Sequence, residues 1–223
     1  MGTGSVFVTT PGGGKPGVMK DGLVFHVPFD NNFTDIVNNK NPSVNTGTIS
    51  ANGKIKQAGN YPAASSQSVY DPILIGTHVL DITVSAWVSV GTLHTSFNGF
   101  LAVRTGSSST INWVLALSAK KPCVYIGATS YTFGDQLDLN VYNHLAFTYK
   151  KSTTTLKCYQ NGQLKLTQTN APVPVTVAAD GLMVGQINLN GVYSALGLID
   201  DVRIYEKIKT DDEIQKIYQY KGI

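Results

Sequence analysis

The sequence has few of the residues from which catalytic and metal sites are usually built. Only 14% of its 223 residues are charged, against about 25% in a typical soluble protein, and Glu206 and Glu213 are the only glutamates. The two cysteines, Cys123 and Cys158, lie in separate strand-like segments. Their number permits a disulfide, but no spacing motif indicates one. The alternative is that both are small buried apolar residues.

Long apolar runs and basic clusters are also absent from the sequence. No stretch reaches the roughly 18 apolar residues of a membrane-spanning helix, and the N-terminal region lacks the apolar core of a signal peptide. The net charge of +3 is spread along the chain, so there is no electrostatic footprint for a phosphate backbone. We therefore expect no membrane insertion and no nucleic-acid partner.

Glycine, serine, threonine and asparagine are plentiful, and they separate short segments in which apolar residues alternate. Such alternation predicts β-strands, and about a dozen strands in one domain imply two packed sheets. The Asn161-Gly162 pair predicts a tight hairpin in which Tyr159 faces Leu164 and Cys158 points the other way. The predicted strands are 22–30, 44–49, 66–70, 82–90, 99–105, 111–118, 122–128, 141–149, 154–160, 163–169, 181–186 and 195–205.

One short helix is predicted after the last strand. Thr210 and Glu213 have the spacing of a capping box, in which each side chain binds a backbone N–H of the other residue. The residues that follow form one apolar stripe, made of Ile214, Ile217 and Tyr218.

Residues 1–20 differ from the rest of the chain. An alternating segment that includes Val6, Phe7 and Val8 precedes the glycine- and proline-rich residues 11–17, which favour neither helix nor central strand. We interpret residues 1–20 as a flexible arm and hinge, and residues 21–223 as one domain. Such an arm could add a strand to the exposed sheet edge of another protein subunit.

Several motifs occur in a fixed order along the domain: residues 23–30 with Asp35, 53–58, 82–88, 143–149, and the closing strand 197–205 with its helix. Together they resemble the laminin-G-like branch of the concanavalin A-like lectin and glucanase superfamily. The resemblance implies an all-β fold, a concanavalin A-like jelly-roll sandwich of two antiparallel sheets with one short C-terminal helix. This fold hosts lectins, glycosidases, adhesion modules and structural domains, so it does not specify a ligand.

The glucan-cleaving members of this superfamily carry two glutamates and an aspartate on one strand, because two carboxylates must flank the scissile bond. Both glutamates of this chain lie at the closing strand and helix. Asp200 and Asp201 are neighbours in a strand and are expected to point to opposite faces. The sequence therefore predicts a protein that is not an enzyme.

The resemblance also implies a structural Ca²⁺ near the first and last strands. Asp30 and Asp200 would be its side-chain ligands, with Asp35 nearby, because calcium prefers carboxylate and carbonyl oxygens. The alternative is that these aspartates accept backbone N–H groups and cap turns.

Sugar-binding proteins of this fold use exposed aromatic side chains that stack on the sugar ring. The predicted ligand-binding residues are Tyr131, Trp113 and Tyr193, with Tyr125 as a further candidate. Trp87 is instead predicted to fill the core between the sheets.

Two functions are compatible with these features. The first is a structural subunit of a larger assembly such as a phage virion: a capsid decoration, fibre or adhesion protein that is held through its arm and possesses a surface for cell-surface glycans. This hypothesis rests on the arm and the missing signal peptide, and it places the protein on a virion or an extracellular surface. The alternative is a carbohydrate-binding module of a secreted bacterial protein.

Overall fold

The computed structural model describes residues 16–71, 81–94, 96–105, 110–174, 181–187 and 193–222. No helix in this part of the chain is long and apolar enough to cross a bilayer. A short 3₁₀ helix covers Lys151–Thr153. The α-helices are α1 (Pro16–Lys20) and α2 (Asp211–Tyr218), and the strands are β1 (Leu23–Val27), β2 (Val44–Asn45), β3 (Thr48–Ser50), β4 (Ala58–Tyr61), β5 (Ser68–Tyr70), β6 (Ile82–Val90), β7 (Phe97–Thr105), β8 (Thr110–Ser118), β9 (Lys121–Ile126), β10 (Thr129–Thr132), β11 (Asn143–Lys150), β12 (Thr155–Gln160), β13 (Gln163–Gln168), β14 (Gly181–Val184) and β15 (Gly197–Tyr205).

The strands form two antiparallel sheets, as predicted. Sheet I has eight strands, in the order β13-β12-β11-β6-β15-β4-β3 with β1 paired to β15. Sheet II has seven strands, in the order β10-β9-β8-β7-β14-β5-β2. Sheet I thus brings the first and last strands of the domain together. The fold is the expected jelly-roll sandwich with a helix after its last strand.

The core lies between the sheets and is built by alternate residues of each strand. On β6, Val84, Ala86 and Val88 face the core, and on β8 every second residue from Trp113 does the same. The phenylalanine and tyrosine rings of the N-terminal part pack edge to face within this core. Burial of these apolar faces is the main favourable contribution to folding.

The outer faces of the two sheets are covered differently. On sheet I, Ala146, Tyr159 and Tyr205 pack against Ile214 and Ile217 of α2, with Met19 of α1 beside them. On sheet II, a second buried cluster includes Ala102, Ala116, Cys123 and Met183, with partly buried aromatic residues around it. Each sheet therefore carries a buried apolar cluster on its outer face in addition to its apolar inner face.

The hairpin prediction is confirmed in detail. Tyr159 pairs with Leu164 across β12 and β13, and Asn161 and Gly162 have φ values of 52° and 78°. The capping box of α2 is also present, because Thr210 Oγ1 accepts from the Glu213 N–H and Glu213 accepts from the Thr210 N–H. Both features depend only on residues close in sequence.

Three predictions about local structure are corrected. The predicted strand 44–49 is split, because β2 joins sheet II and β3 joins sheet I. Strand β4 was missed, since its Gly59 and Asn60 disfavour strands. Helix α1 occupies Pro16–Lys20, which were assigned to the hinge; proline at the first helical position costs no hydrogen bond.

Trp87 is buried, but not between the sheets as predicted. It lies on the outer face of sheet I, 5.4 Å from the Tyr218 ring and 5.2 Å from the His144 ring. Cys123 and Cys158 are buried and unpaired, and burial raises the pKa of the Cys123 thiol to about 12. The alternative reading of the cysteines as small buried residues therefore describes them correctly.

Gly185 is a position where only glycine fits. Its φ is 84°, and a Cβ there would lie 2.2 Å from the buried Tyr61 ring. We expect Gly185→Ala to lower the free energy of unfolding by roughly 2–4 kcal/mol, because the left-handed backbone and the ring contact both oppose a side chain. Urea denaturation measures the loss.

Gly127→Ala is the matched control for Gly185→Ala. Gly127 also has a positive φ, 56°, but no atom lies within 4 Å of the position that a Cβ would take. Its substitution should cost about 1–2 kcal/mol from backbone strain alone. Equal losses for the two variants would show that the contact with Tyr61 is unimportant.

Candidate functional site

A bulge in β15 brings two carboxylates to the same face of sheet I. Asp200 lies opposite Trp87 and Arg203 lies opposite Ser85, so β15 has one residue more than β6 between these pairs. Asp201 has a φ of 49° at the bulge. Both carboxylates consequently face outward with Trp87. The expectation that they point to opposite faces is wrong, because it assumed an unbroken strand.

Asp201 is held by the His26 ring and the Arg203 guanidinium. Its Oδ1 lies 2.7 Å from His26 Nε2 and 2.9 Å from Arg203 Nη2, and Arg203 Nε donates to it at 3.0 Å. Burial opposes ionisation of Asp201, but the hydrogen bond from His26 and the charge of Arg203 outweigh it and lower the pKa. Asp201 is therefore ionised and neutralised within the fold.

Asp200 has the opposite electrostatic character. Its Oδ2 accepts from the Ile55 N–H at 2.7 Å, whereas its Oδ1 is buried with no hydrogen-bond partner among the described residues. Burial raises the pKa of Asp200 to about 8, and the negative charge of Asp201 adds to the effect. The neutral carboxylic acid is the form that this environment favours.

The aspartates predicted as calcium ligands act mainly as turn caps. Asp30 accepts from the Gln57 N–H at 3.4 Å and lies 3.6 Å from Lys56 Nζ, while Asp200 caps the same turn through Ile55. Asp35 binds the His26 and Val37 N–H groups and the Asn38 amide. No group of three or more acidic, histidine or cysteine side chains suited to a metal occurs among the described residues.

This donor set does not fit a calcium site well. A hard divalent cation needs several converging oxygens, and here the Asp30 carboxylate already faces a lysine while Asp200 favours its neutral form. The geometry matches the turn-capping alternative. Calcium binding remains a prediction, with Asp30 and Asp200 as its ligands.

The Asp200–Asp201 pair has the divergent pKa shifts that an acid and a base require, but it has no access for a substrate. Asp200 is 0% exposed and Asp201 is 4% exposed. Among the glutamates, Glu213 is used in the capping box of α2, and Glu206 is exposed beyond the end of β15. The buried Asp200–Asp201 pair and Glu213 of the capping box therefore lack the exposed, free carboxylates that must flank a glycosidic bond.

The aromatic residues predicted to bind sugars do not form one site. Trp113 is 4% exposed and lies 5.5 Å from the Phe147 ring inside the core. This core position corrects its assignment as an exposed sugar contact, because neither face of its indole is free. The alternation of Trp113 with Leu115 and Leu117 was the sequence signal for this position.

Tyr131 and Tyr193 lie on opposite faces of sheet II. Tyr131 pairs with Val124 of β9 and packs against the core between the sheets at the edge strand β10. Tyr193 packs on the outer face, 5.6 Å from the Phe97 ring and 5.5 Å from the His94 ring. The two tyrosines therefore have no ligand surface in common.

Tyr193 belongs to a partly exposed group that we call the aromatic cluster. Phe97 lies 5.9 Å from Tyr125 and links it to Tyr193, and all the contacts are edge to face. Its members, each of intermediate exposure, are His94, Phe97, Tyr125 and Tyr193.

Local hydrogen bonds hold the aromatic cluster in place. The Asn98 amide donates to the Thr92 and Ala195 carbonyls and accepts from the His94 N–H, which fixes the turn before β7. Gly99 allows close packing beneath Tyr193, since a Cβ there would lie 2.4 Å from the Tyr193 carbonyl oxygen. His94 Nδ1 accepts from the Ser96 N–H, so its neutral ring carries the proton on Nε2.

Sequence reasoning missed Phe97 and His94 as site residues. Both residues precede the predicted strand 99–105, and neither belongs to a predicted motif. The Asn98-Gly99 pair beside them was the available signal, because it marks a close backbone approach. The arm residues Val6, Phe7 and Val8 lie outside the described residues, and their role remains a prediction.

Asp200 makes stability depend on pH. Because its folded pKa is raised from 3.8 to about 8, the folded state binds more protons than the unfolded state within this window. We expect the free energy of unfolding to fall as pH rises from 4 to 8 and the Asp200→Asn variant to lose this trend. Urea titrations at pH 5 and pH 8 test it, and a parallel slope in the variant would refute the assignment.

Calcium binding is tested by melting the protein in excess Ca²⁺ and in a chelator. If Asp30 and Asp200 hold a cation, Ca²⁺ should raise the Tm and Asp200→Ala should abolish the increase. Identical melting of the unaltered chain in both conditions would remove the calcium prediction.

Comparison with solved structures identifies similar sandwiches in sugar-active proteins. Domain 4 of AbnA, an extracellular GH43 arabinanase of Geobacillus stearothermophilus solved with arabinotriose, is 24% identical with a TM-score of 0.65; the match covers 88% of this chain and 98% of that one. The CBM40 of the Ruminococcus gnavus IT-sialidase, bound to α2,3-sialyllactose, is 16% identical with a TM-score of 0.55, covering 64% and 84%.

The Trypanosoma rangeli sialidase, solved with a difluorosialic acid as a covalent intermediate, is 16% identical with a TM-score of 0.71. The match covers 94% of this chain and 35% of the sialidase, so the chain spans about a third of that enzyme. At these identities the similarity concerns the fold. A comparison with curated proteins found no match. The family model of the concanavalin A-like lectin/glucanases superfamily matches residues 65–215, and the chain belongs to this superfamily.

Proposed function

We propose that the protein is a non-catalytic carbohydrate-binding module that holds a glycan against the aromatic cluster on the outer face of sheet II. The observation that carries this proposal is the contact of four partly exposed rings, His94, Phe97, Tyr125 and Tyr193, on one sheet face. Aromatic faces stack on the apolar faces of sugar rings, and nearby polar groups bind the hydroxyls.

Polar groups suited to sugar hydroxyls lie at the edges of the cluster. Tyr125 makes a side-chain hydrogen bond with the exposed Ser130, and His94 Nε2 carries a proton in the neutral ring. A phenol hydroxyl, a serine hydroxyl and an imidazole N–H are all able to hydrogen-bond to sugar hydroxyls. The ring contacts and the Asn98 hydrogen bonds keep the surface preformed, which reduces the entropy lost on binding.

The fold comparisons support the same class of ligand. Two of the similar domains were solved with oligosaccharides, one with arabinotriose and one with α2,3-sialyllactose. The match covers nearly the whole of the arabinanase domain, which is a separate module of its enzyme. These comparisons support the proposal through the fold alone. The support from this chain's own residues is the aromatic cluster.

We exclude catalysis from the proposed function because the adjacent carboxylates of β15 are buried. The adjacent carboxylates Asp200 and Asp201 are inaccessible and lie on the opposite sheet. A glycosidase needs a pair that flanks the substrate in a groove. The role as a virion subunit depends on Val6, Phe7 and Val8, and it remains a prediction for which deletion of residues 1–17 should abolish assembly and leave the domain folded.

The binding surface is tested by a glycan array followed by calorimetry with the best ligand. We expect Tyr193→Ala and Phe97→Ala to weaken binding about tenfold, the loss expected for one aromatic contact. Gly99→Ala should weaken it too, because the new Cβ displaces the Tyr193 backbone without removing a ring.

Tyr131→Ala is the matched control for these variants, since Tyr131 belongs to the same sheet but faces the core side. It should retain full affinity. An array without hits at high protein concentration would reject sugar binding, and equal losses in Tyr131→Ala and Tyr193→Ala would place the site elsewhere.

A further inference from the structure

The C-terminal segment covers part of the outer face of sheet I, and we call residues 210–222 the C-terminal latch. Ile214 and Ile217 of α2 pack on Ala146, Tyr159 and Tyr205 of the sheet. The Tyr218 ring lies on Trp87 and His144, and the Tyr220 ring lies 4.5 Å from the Arg203 guanidinium. The latch therefore closes over a surface that the sandwich itself has already formed.

The chain just before the latch is fixed to the sandwich. Thr83 Oγ1 donates to the Lys207 carbonyl at 2.6 Å and accepts from the Lys209 N–H at 2.9 Å. Lys209 Nζ donates to the Asp21 carbonyl at 2.7 Å. Residues 207–209 consequently stay with sheet I, and any movement of the latch starts at Thr210.

Beyond that point the latch has few apolar anchors. Ile214 and Ile217 are its only buried residues in the described part of the chain. An isolated helix of eight residues is unstable in water, so α2 depends on its contacts with the sheet. Elements with few buried apolar contacts open at lower free energy than the core to which they are attached.

The surface beneath the latch is unusually polar for a buried layer. His144 and Asp200 lie on either side of Trp87 on adjacent strands. Among the described residues, His144 Nδ1, Trp87 Nε1 and Ser85 Oγ have no hydrogen-bond partner, and neither does Gln215 Oε1 of the latch. A buried polar atom without a partner costs free energy that exposure to water would recover. Closing the latch thus has a cost that the core does not have.

We propose that the C-terminal latch detaches from sheet I in mild acid while the sandwich stays folded, and that protonation of His144 drives the detachment. The opening uncovers Trp87, whereas the turn at Ile55 keeps Asp200 covered. His144 is 1% exposed and contacts the Trp87 and Tyr218 rings, so an added charge has no solvent and, among the described residues, no acceptor at Nδ1 while the latch is closed.

The electrostatic surroundings of His144 determine the direction of the effect. Burial lowers its pKa from 6.5 to about 4; Asp201 opposes this shift and Arg203 adds to it. Lys54 also lies 4.8 Å from the Trp87 ring centre. The open form binds the proton more tightly, so the closed form loses stability as pH falls from 6.5 to 4. This window shifts the latch equilibrium by roughly a hundredfold.

The carboxyl groups near the latch have hydrogen-bond partners of their own. A hydrogen bond from Lys157 lowers the pKa of Asp211, and the Thr210 N–H together with the charge of Lys209 outweighs partial burial to lower the pKa of Glu213. Acid favours buried neutral Asp200, which the Ile55 turn holds. His26 contacts Asp201 within the sheet. His144 is the group that destabilises the latch first.

Hydrogen exchange of the full chain at pH 7 and pH 4.5, corrected for intrinsic rates, tests the proposal without a variant. We expect the amides of 211–219 to lose at least tenfold in protection, while those of β6 and β8 keep theirs. Loss of protection in the latch and the sheets together would overturn the proposal, and so would an unchanged latch.

The two tryptophans provide an independent optical test. Trp113→Phe leaves Trp87 beneath the latch as the reporter, and Trp87→Phe leaves Trp113 in the core. Acid should shift the emission of Trp87 to the red and increase its quenching by acrylamide several-fold, whereas Trp113 should not respond. A response of both tryptophans, or of neither, would contradict an opening of the latch while the sandwich stays folded.

His144→Gln tests whether protonation of His144 drives the opening, and Thr210→Ala tests whether the latch is the segment that opens. His144→Gln should lose the change in exchange between pH 7 and pH 4.5, whereas His94→Gln, on the other sheet, should keep it. Thr210→Ala removes the helix cap and should open the latch roughly fivefold at every pH. An acid response that persists in His144→Gln would show that another group drives the opening.

Discussion

The structure depends on the packing of two pleated sheets through alternate side chains. Because successive residues of a strand point to opposite faces, each strand that buries one set of side chains presents another set outward. Val84, Ala86 and Val88 point into the core, so Ser85 and Trp87 lie on the outer face of sheet I. The buried polar layer under α2 is a consequence of what these outward positions of sheet I carry.

The two outer faces use different means to cover apolar side chains. Sheet I places a helix and two C-terminal tyrosines over its polar and aromatic residues, and it neutralises Asp201 with Arg203 and His26. Sheet II surrounds small buried residues with rings that stay partly exposed. The first arrangement encloses ionisable groups, and the second leaves aromatic surface in contact with water. This contrast is the reason for placing ligand binding on sheet II.

The sequence predicted the features that depend on local chemistry. The Asn161-Gly162 hairpin, the capping box at Thr210 and the long strand β6 all follow from residues within a few positions of one another. The sequence also indicates the sheet face on which Trp87 lies, because Trp87 shares one face of the alternating strand with the polar residues Thr83 and Ser85. Treating a tryptophan as core by its size alone gave the wrong layer.

The remaining features depend on contacts between distant parts of the chain. At the bulge, Asp201 has a left-handed backbone conformation although it is not a glycine. Its contact with His26 of the first strand stabilises this conformation. The aromatic cluster joins residues of three separate segments, so no sequence motif contains it. Strand β4 is held by pairing with β15 on one side and β3 on the other, which overrides its weak strand propensity.

The pairing of β1 with β15 also affects how this domain can be connected to other polypeptides. Gly22 and Glu206 are joined by a backbone hydrogen bond, and Asp21 contacts Lys207 and Lys209, so the entry and exit points of the sandwich are neighbours. A unit with adjacent entry and exit points fits into a surface loop of a host protein without forcing the host's ends apart.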